Sequence, residues 1–130
     1  MAKHNKSVMY KLNYKLVLRI IRDYFLIIKL PKDYTDYLAQ TEVFFGETDF
    51  EFGGYFELEP LENIEEFNKD IQTGIYAPGF IAFGSDGGGE ILAFDKSGKI
   101  YLLPLIGMSL NDAILIASSW HEFEQHILNP

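Results

Sequence analysis

The sequence predicts an α+β fold in which a mostly antiparallel sheet is flanked by N-terminal, middle and C-terminal helices. Apolar residues recur at helical spacing near both ends of the chain and in its middle. Residues 79–104 instead consist of short apolar runs separated by turn residues, a pattern typical of consecutive strands. The chain has 130 residues, 48% of them hydrophobic, with no repeat or linker, so we expect a single domain over residues 1–130.

The N-terminal third predicts an amphipathic helix over residues 9–28. Four basic residues recur at intervals of four, four and three, which places them on one face of a helix, and apolar residues follow a neighbouring face. We interpret this segment as a core helix whose basic stripe is solvated or pairs with acidic residues of the same chain. The alternative is a helix that lies on an anionic membrane or a partner protein. The basic residues are Lys11, Lys15, Arg19 and Arg22.

Charges within this apolar region argue against a membrane span or a secretory signal. The longest uncharged run is residues 24–28, far short of the roughly 20 residues that a spanning helix needs. No small-residue cleavage site follows the region. The chain has no cysteine, so nothing argues for an oxidising compartment, and we expect a cytoplasmic protein.

A second, short helix is predicted over residues 31–40. Pro31 suits the first turn of a helix, and Asp33 and Asp36 favour the positive end of its dipole. The side chains expected to face the core are Tyr34, Tyr37 and Leu38.

The middle of the chain predicts a hairpin followed by a helix. Residues 50–52 and 56–59 alternate with period two, as half-buried strands do, and the glycine pair 53–54 separates them. Pro60 opens a helical stretch that we expect to end at Gly74.

The last third predicts a strand meander and a C-terminal helix. Residues 80–83 indicate an internal strand, and residues 91–94 and 99–103 flank a turn in which Gly98 supplies a positive φ. Residues 111–128 carry an apolar stripe at helical spacing, which predicts the last helix. The stripe consists of Ala113, Ile116, Ala117, Trp120, Phe123 and Ile127.

The net charge of −8 is divided unevenly along the chain. Residues 1–32 hold eight basic residues and one acidic residue, a net charge of +7, whereas residues 33–130 hold three basic and eighteen acidic residues, a net charge of −15. Because a nucleic-acid binder normally presents a dominant basic face, we expect no nucleic-acid partner. Residues 42–70 alone hold ten acidic residues and one basic residue, and six aromatic residues lie between positions 44 and 56.

No catalytic or metal-binding motif stands out in the sequence. His121 and His126 are five residues apart, or about 140° on a helix at 100° per residue, so one metal ion cannot bind both. Residues 84–90 are rich in glycine but lack the lysine and the helix that follow a phosphate-binding loop. We interpret them as a tight turn between strands. We therefore expect neither an enzyme nor a metal or cofactor site.

Several segments, in this order, resemble the SUKH superfamily, which includes the fungal SMI/KNR-type cell-wall regulators. The most specific is residues 76–90 (YAPGFIAFGSDGGGE), followed by residues 93–95 (AFD). Residues 30–38 are similar to the Leu-Pro, aromatic, Leu opening of that superfamily, and residues 58–64 to its strand-to-helix segment. The resemblance covers roughly residues 10–128.

The resemblance implies a non-catalytic binding protein. Bacterial SUKH proteins largely serve as immunity proteins that bind and neutralise a cognate toxin, often a nuclease or deaminase. An acidic inhibitor gains steered association with the basic cleft of a nuclease, and aromatic side chains supply anchors. We therefore expect a basic toxin domain as the partner, bound through acidic residues. The candidate partner-binding residues are Glu57, Glu59, Glu62, Glu65, Glu66, Asp70, Asp86 and Glu90.

Three other functions remain open from the sequence. The first is an intracellular regulatory scaffold, like the fungal members, with an endogenous protein partner. The second is a small hydrolase or nucleotide binder that uses Asp86 and Glu90, and the third is peripheral membrane binding through the basic stripe. Where members of the superfamily often carry an Asn-Gly-Gly-like turn, this chain has residues 41–46, so the path of residues 41–50 is also open.

Overall fold

A computed structural model describes residues 14–20, 29–51 and 54–128 of the chain. The helices are α1 (residues 14–20), α2 (Lys32–Gln40), α3 (Ile64–Ile71), α4 (Thr73–Tyr76) and α5 (Trp120–Gln125), with 3-10 turns at Leu61–Asn63 and Leu110–Asp112. The strands are β1 (Phe45–Glu47), β2 (Tyr55–Leu58), β3 (Ile81–Ser85), β4 (Glu90–Phe94), β5 (Ile100–Pro104) and β6 (Ile114–Ala117).

The six strands form one antiparallel sheet whose spatial order equals the chain order. The sheet curls, so that the segment after α5 returns to the outer edge of β1. Thr48 forms an isolated antiparallel bridge with Ile127, and the amide of Leu128 donates to the carbonyl of Glu47 at 2.8 Å. The predicted α+β class with a mostly antiparallel sheet is confirmed.

Both faces of the sheet are buried along its centre. Successive side chains of a strand point to opposite faces, so each central strand contributes to two cores. In β4, Leu92 and Phe94 join the core beneath α2 and α5, whereas Ile91 and Ala93 join the core beneath α3 and α4. Tyr34 of α2 is fully buried in the first core. Its ring centroid lies 4.7 Å from that of Trp120 and 5.0 Å from that of Phe83.

Helix α2 matches its prediction, and its first turn also positions α5. Asp33 accepts a hydrogen bond from the backbone amide of His121 at 2.9 Å, so the start of α5 is held against α2. Tyr37 and Leu38 are half-buried and pack against the core, as the sequence predicts. The predicted meander is confirmed as well, and Gly98 in the β4–β5 turn has a φ of +86°.

The predicted C-terminal helix over residues 111–128 is wrong. Residues 110–112 form a 3-10 turn, residues 114–117 pair with β5 as strand β6, and only residues 120–125 are α-helical. Ser119 has an extended backbone, and its hydroxyl accepts from the amide of Glu122 at 3.1 Å, which defines the start of α5. The buried members of the stripe therefore come from two elements, since a short apolar run fits a strand as well as a helix.

The predicted hairpin over residues 50–59 is also wrong in its first strand. Its place is taken by β1, and Phe50 lies in the loop between β1 and β2. The ring centroid of Phe50 lies 5.4 Å from that of Phe123 and 4.4 Å from that of His126. Phe50 thus packs against the core although it lies in a loop. Residues 52 and 53 lie outside the described residues.

The helix predicted to end at Gly74 ends earlier. Helix α3 stops at Ile71, because Gln72 adopts a left-handed conformation with a φ of +59°, and Gly74 lies inside α4. The side-chain amide of Asn68 exchanges two hydrogen bonds of 2.8 Å with the backbone of Ala82, which anchors α3 to β3.

The N-terminal helix is only partly described. Residues 14–20 are helical as predicted, but all seven are exposed, so this part of the segment is not the core helix that we expected. Lys11, Arg22 and the rest of residues 9–28 lie outside the described residues.

Candidate interaction site

The outer face of β1 and β2 is exposed, although helices cover the centre of the sheet. In β2, Phe56 and Leu58 point into the core, so Tyr55 and Glu57 point to the opposite side. Phe45 is 68% exposed and Tyr55 40% exposed, which is unusual for aromatic residues on a sheet. We call this surface the acidic strand face and define it as Phe45, Glu47, Tyr55 and Glu57.

The strand register alternates aromatic and acidic side chains on the acidic strand face. Phe45 lies opposite Glu57, and Glu47 lies opposite Tyr55. The Tyr55 hydroxyl donates to Glu57 Oε1 at 2.6 Å, and this bond to a carboxylate raises the pKa of the phenol. The phenol of Tyr55 therefore stays protonated at pH 7 and can donate a hydrogen bond. Each carboxylate of the face also has an aromatic neighbour across the strand pair.

The β3–β4 turn extends this acidic surface. Glu57 pairs with Ser85, and the next residue is Asp86. Asp86 Oδ1 accepts hydrogen bonds from the amides of Gly88 and Glu90 at 2.8 and 3.0 Å, so the carboxylate closes the turn that the glycines predict. Gly87, with a φ of +73°, lies against the Tyr55 ring.

The Glu90 carboxylate is affected by two neighbouring carboxylates. Burial raises the pKa of Glu90, and the neighbouring charges of Asp86 and Asp112 raise it further. Burial, followed by the charge of Glu57, likewise raises the pKa of Glu59. A cationic group placed beside these carboxylates would relieve their mutual repulsion.

The structure divides the eight acidic residues that the sequence singles out. Glu57 lies on the acidic strand face, and half-buried Glu59 lies directly after the end of β2. Asp86 and Glu90 lie at the adjoining β3–β4 turn, where strand alternation puts Glu90 on the sheet face of Leu92, opposite to that of Glu57. The others lie on the segment 61–71, where Glu65 Oε1 is 3.8 Å from the ammonium of Lys69. The exposed acidic residues of that segment are Glu62, Glu66 and Asp70.

A groove at the outer edge of β1 was not predicted. It has a volume of about 870 Å³ and lies between β1, the chain after α2 and the end of α5. Glu42 and Glu124 line it together with Phe45 and Glu47 of the acidic strand face. The acidic and aromatic residues of positions 42–47 were a local signal for part of this groove, whereas Glu124 joins it only through the fold. We call it the β1-edge groove.

The histidines do not converge on a common ligand. His121 is exposed and lies 3.3 Å from the Gln125 amide, whereas His126 Nδ1 lies 2.6 Å from Asp49 Oδ1. In the part of the chain that the structure describes, no three acidic or histidine side chains are grouped as metal ligands. No helix within these described ranges has the length and apolarity needed to cross a bilayer.

Comparison with known proteins gives one family. The sequence model of the family described as SMI1 / KNR4 family (SUKH-1) matches residues 25–126. The matched span contains all six strands, helices α2 to α5 and the whole acidic strand face. No curated protein sequence matches the chain significantly.

Proposed function

Because this chain belongs to the SMI1 / KNR4 family (SUKH-1), we propose that it is a non-catalytic immunity protein that binds and neutralises a bacterial toxin of nuclease or deaminase type. Proteins of this family generally bind protein partners, and the sequence resemblance to the SUKH superfamily is thereby confirmed. The observation that carries the proposal is the acidic strand face, where exposed aromatic residues and carboxylates alternate on a strand pair.

The charge of the chain supports a basic partner. Residues 33–130 have a net charge of −15, and an acidic surface of this kind accelerates encounter with a cationic cleft. A toxin that acts on nucleic acid presents such a cleft to phosphate groups. Binding of the acidic protein across that cleft would exclude the substrate, so inhibition needs no chemistry from this chain.

We place the centre of the contact at Phe45, Tyr55 and Glu57, with Asp86 and Glu90 at its border. Aromatic side chains supply most of the binding energy when they are desolvated, and a polar border excludes water around them. The remaining predicted residues, on the segment 61–71, belong to a neighbouring acidic surface. In this proposal the protein acts in the cytoplasm, needs no cofactor and binds the toxin domain in a one-to-one complex.

Co-expression tests the function directly. If a toxin domain is encoded next to this gene, it is expressed with and without the protein, and we expect growth rescue and a one-to-one complex on size-exclusion chromatography. The absence of both growth rescue and a complex would contradict the proposed function.

A pair of double variants tests the location. Glu47→Lys with Glu57→Lys, both exposed on the acidic strand face, is expected to weaken the complex by about a hundredfold, because two contacts become repulsive. Glu62→Lys with Glu66→Lys changes the net charge equally but lies on the segment 61–71, so it serves as the matched control. Equal weakening by the two double variants would mean that the surface is misplaced although the function stands.

The second candidate function is a regulatory scaffold with an endogenous partner. Helix α1 favours it, since its apolar residues Leu16, Val17 and Ile20 are about half exposed and offer a surface that occlusion of a toxin does not require. The gene neighbourhood separates the two functions, because an adjacent toxin gene favours immunity and an isolated gene favours a scaffold.

A further inference from the structure

The outer edge of β1 offers unpaired backbone groups. The amide of Leu58 donates to the carbonyl of Phe44, and the amide of Thr48 donates to the carbonyl of Gly54. Phe44 and Thr48, which flank β1, therefore direct these backbone groups toward β2. In an antiparallel pair the intervening residues direct their amide and carbonyl away from the partner strand. The Glu47 carbonyl accepts from Leu128, but among the described residues nothing hydrogen-bonds the backbone of Phe45.

The walls of the β1-edge groove are apolar and acidic. The exposed fractions of Val43, Phe45 and Leu128 are 47%, 68% and 49%, so apolar surface flanks the free edge on both sides. Three of the residues that line the groove are glutamates (Glu42, Glu47 and Glu124), and none of the lining residues within the described ranges is lysine or arginine. Its volume of about 870 Å³ is within the range of roughly 300–1,000 Å³ typical of ligand sites.

We propose that the β1-edge groove binds an extended segment of the partner protein in which lysine or arginine residues alternate with apolar residues. The extended backbone hydrogen-bonds to the amide and carbonyl of Phe45, as in strand addition to a sheet edge. Apolar side chains on one face of the added strand pack against Phe45, while the cationic side chains between them point to the opposite face of the sheet, where α5 carries Glu124. This inference rests on the proposed function in one respect, which is that the segment belongs to the toxin.

Charge selects this occupant over others. A neutral apolar segment would leave three carboxylates partly desolvated without a counter-charge, which costs free energy. A cationic segment offsets that cost and gains steered association. The chain's own basic N-terminal residues and a second copy of the chain are the competing occupants, and the experiment distinguishes both.

The probe is a fluorescein-labelled octapeptide of alternating lysine and leucine, titrated into the full chain and followed by fluorescence anisotropy. An octapeptide of alternating glutamate and leucine is the matched control. We expect saturable binding of the lysine peptide alone, with amide chemical-shift changes concentrated at Phe45 and at residues 124–128. No saturation with the lysine peptide would overturn the groove proposal, whatever the toxin experiment shows.

Two double variants locate the binding. Glu47→Lys with Glu124→Lys is expected to reduce the affinity for the lysine peptide at least about tenfold, whereas Glu62→Lys with Glu66→Lys, of equal charge change, is expected to leave it within about threefold. Equal losses, or shift changes centred on the β3–β4 turn, would show attraction by overall charge and contradict the proposal. Far-ultraviolet circular dichroism verifies that each double variant is folded.

The competing occupants have their own signatures. Nuclear Overhauser contacts between the groove and residues 1–13 of the same chain would assign the groove to the chain itself. A concentration-dependent dimer that Glu47→Lys with Glu124→Lys abolishes would assign it to a second copy. Either result overturns the proposal that a partner segment is the occupant.

Discussion

At the scale of single residues, Gly84 shows how closely β2 and β3 approach. A Cβ at this position would collide with the carbonyl oxygen of Glu57 and approach the backbone of Leu58. Gly84 is buried next to the register shift of β3, so neither backbone can move without loss of core contacts. The close approach also sets the position of Glu57 on the acidic strand face.

Gly84→Ala is therefore expected to destabilise the protein by about 1–3 kcal/mol, the usual cost of overpacking in a core. Gly74→Ala is the matched control, because a Cβ there meets nothing within 4 Å and Gly74 lies in α4. Removal of a helical glycine is expected to stabilise the protein by about 0.5–1 kcal/mol. Urea unfolding measures both changes, and an unaltered midpoint for Gly84→Ala would refute the packing argument.

At the scale of elements, the β4–β5 hairpin is closed by one carboxylate. Asp95 Oδ1 accepts from the amide and hydroxyl of Ser97 at 2.8 and 2.7 Å and from the amide of Lys99 at 3.0 Å. Partial burial opposes ionisation of Asp95, but these hydrogen bonds outweigh it and lower the pKa of Asp95 below its ordinary value of 3.8. The local string Asp-Lys-Ser-Gly thus contains both the turn and the group that holds it.

Asp95→Asn is expected to reduce stability at pH 7 by about 1–2 kcal/mol, because charged acceptors form the stronger hydrogen bonds. A lowered folded-state pKa contributes stability that is present above the unfolded value of 3.8 and is lost as the pH falls through the folded value. The difference between wild type and variant should thus shrink below pH 3.8. Urea unfolding at pH 7 and pH 3 measures it, with Glu66→Gln as an exposed control, and a pH-independent difference would argue against this role.

At the scale of the whole molecule, the charge is divided between a basic N-terminal segment and an acidic body. The described helix α1 is exposed, so in this part of the chain the basic stripe does not neutralise the acidic strand face by packing on it. Residues 14–20 therefore leave the acidic strand face open to a cationic partner.

Association with the toxin domain is expected to depend steeply on salt. Between 50 and 500 mM NaCl the association rate constant should fall by about tenfold or more, while the dissociation rate constant changes much less, because screening acts on long-range steering. Stopped-flow fluorescence measures the former and surface plasmon resonance the latter. An association rate constant that does not respond to salt would contradict electrostatic steering.

The sequence predicts those parts of the fold whose signals are local. Helix α2 begins directly after Pro31, the β4–β5 hairpin has the turn residues that predict it, and the family resemblance rests on continuous stretches of sequence. Residues 114–117 were predicted as helix because Ile114, Leu115 and Ile116 fit either period. Of the candidate site, the sequence predicts Glu57, Asp86 and Glu90, but only the register of β1 and β2 brings Phe45 and Glu47 beside Glu57 and Tyr55.

The sequence by itself determined the family, the acidic net charge and the aromatic and acidic composition of residues 42–70. These depend only on the identity and order of the residues. Tertiary structure decided the register that sets Phe45 opposite Glu57 and the return of Ile127 to Thr48, which brings Glu124 to the β1-edge groove. The physical reason is that these contacts join distant positions. Their free energy comes from strand pairing and core burial that no local pattern encodes.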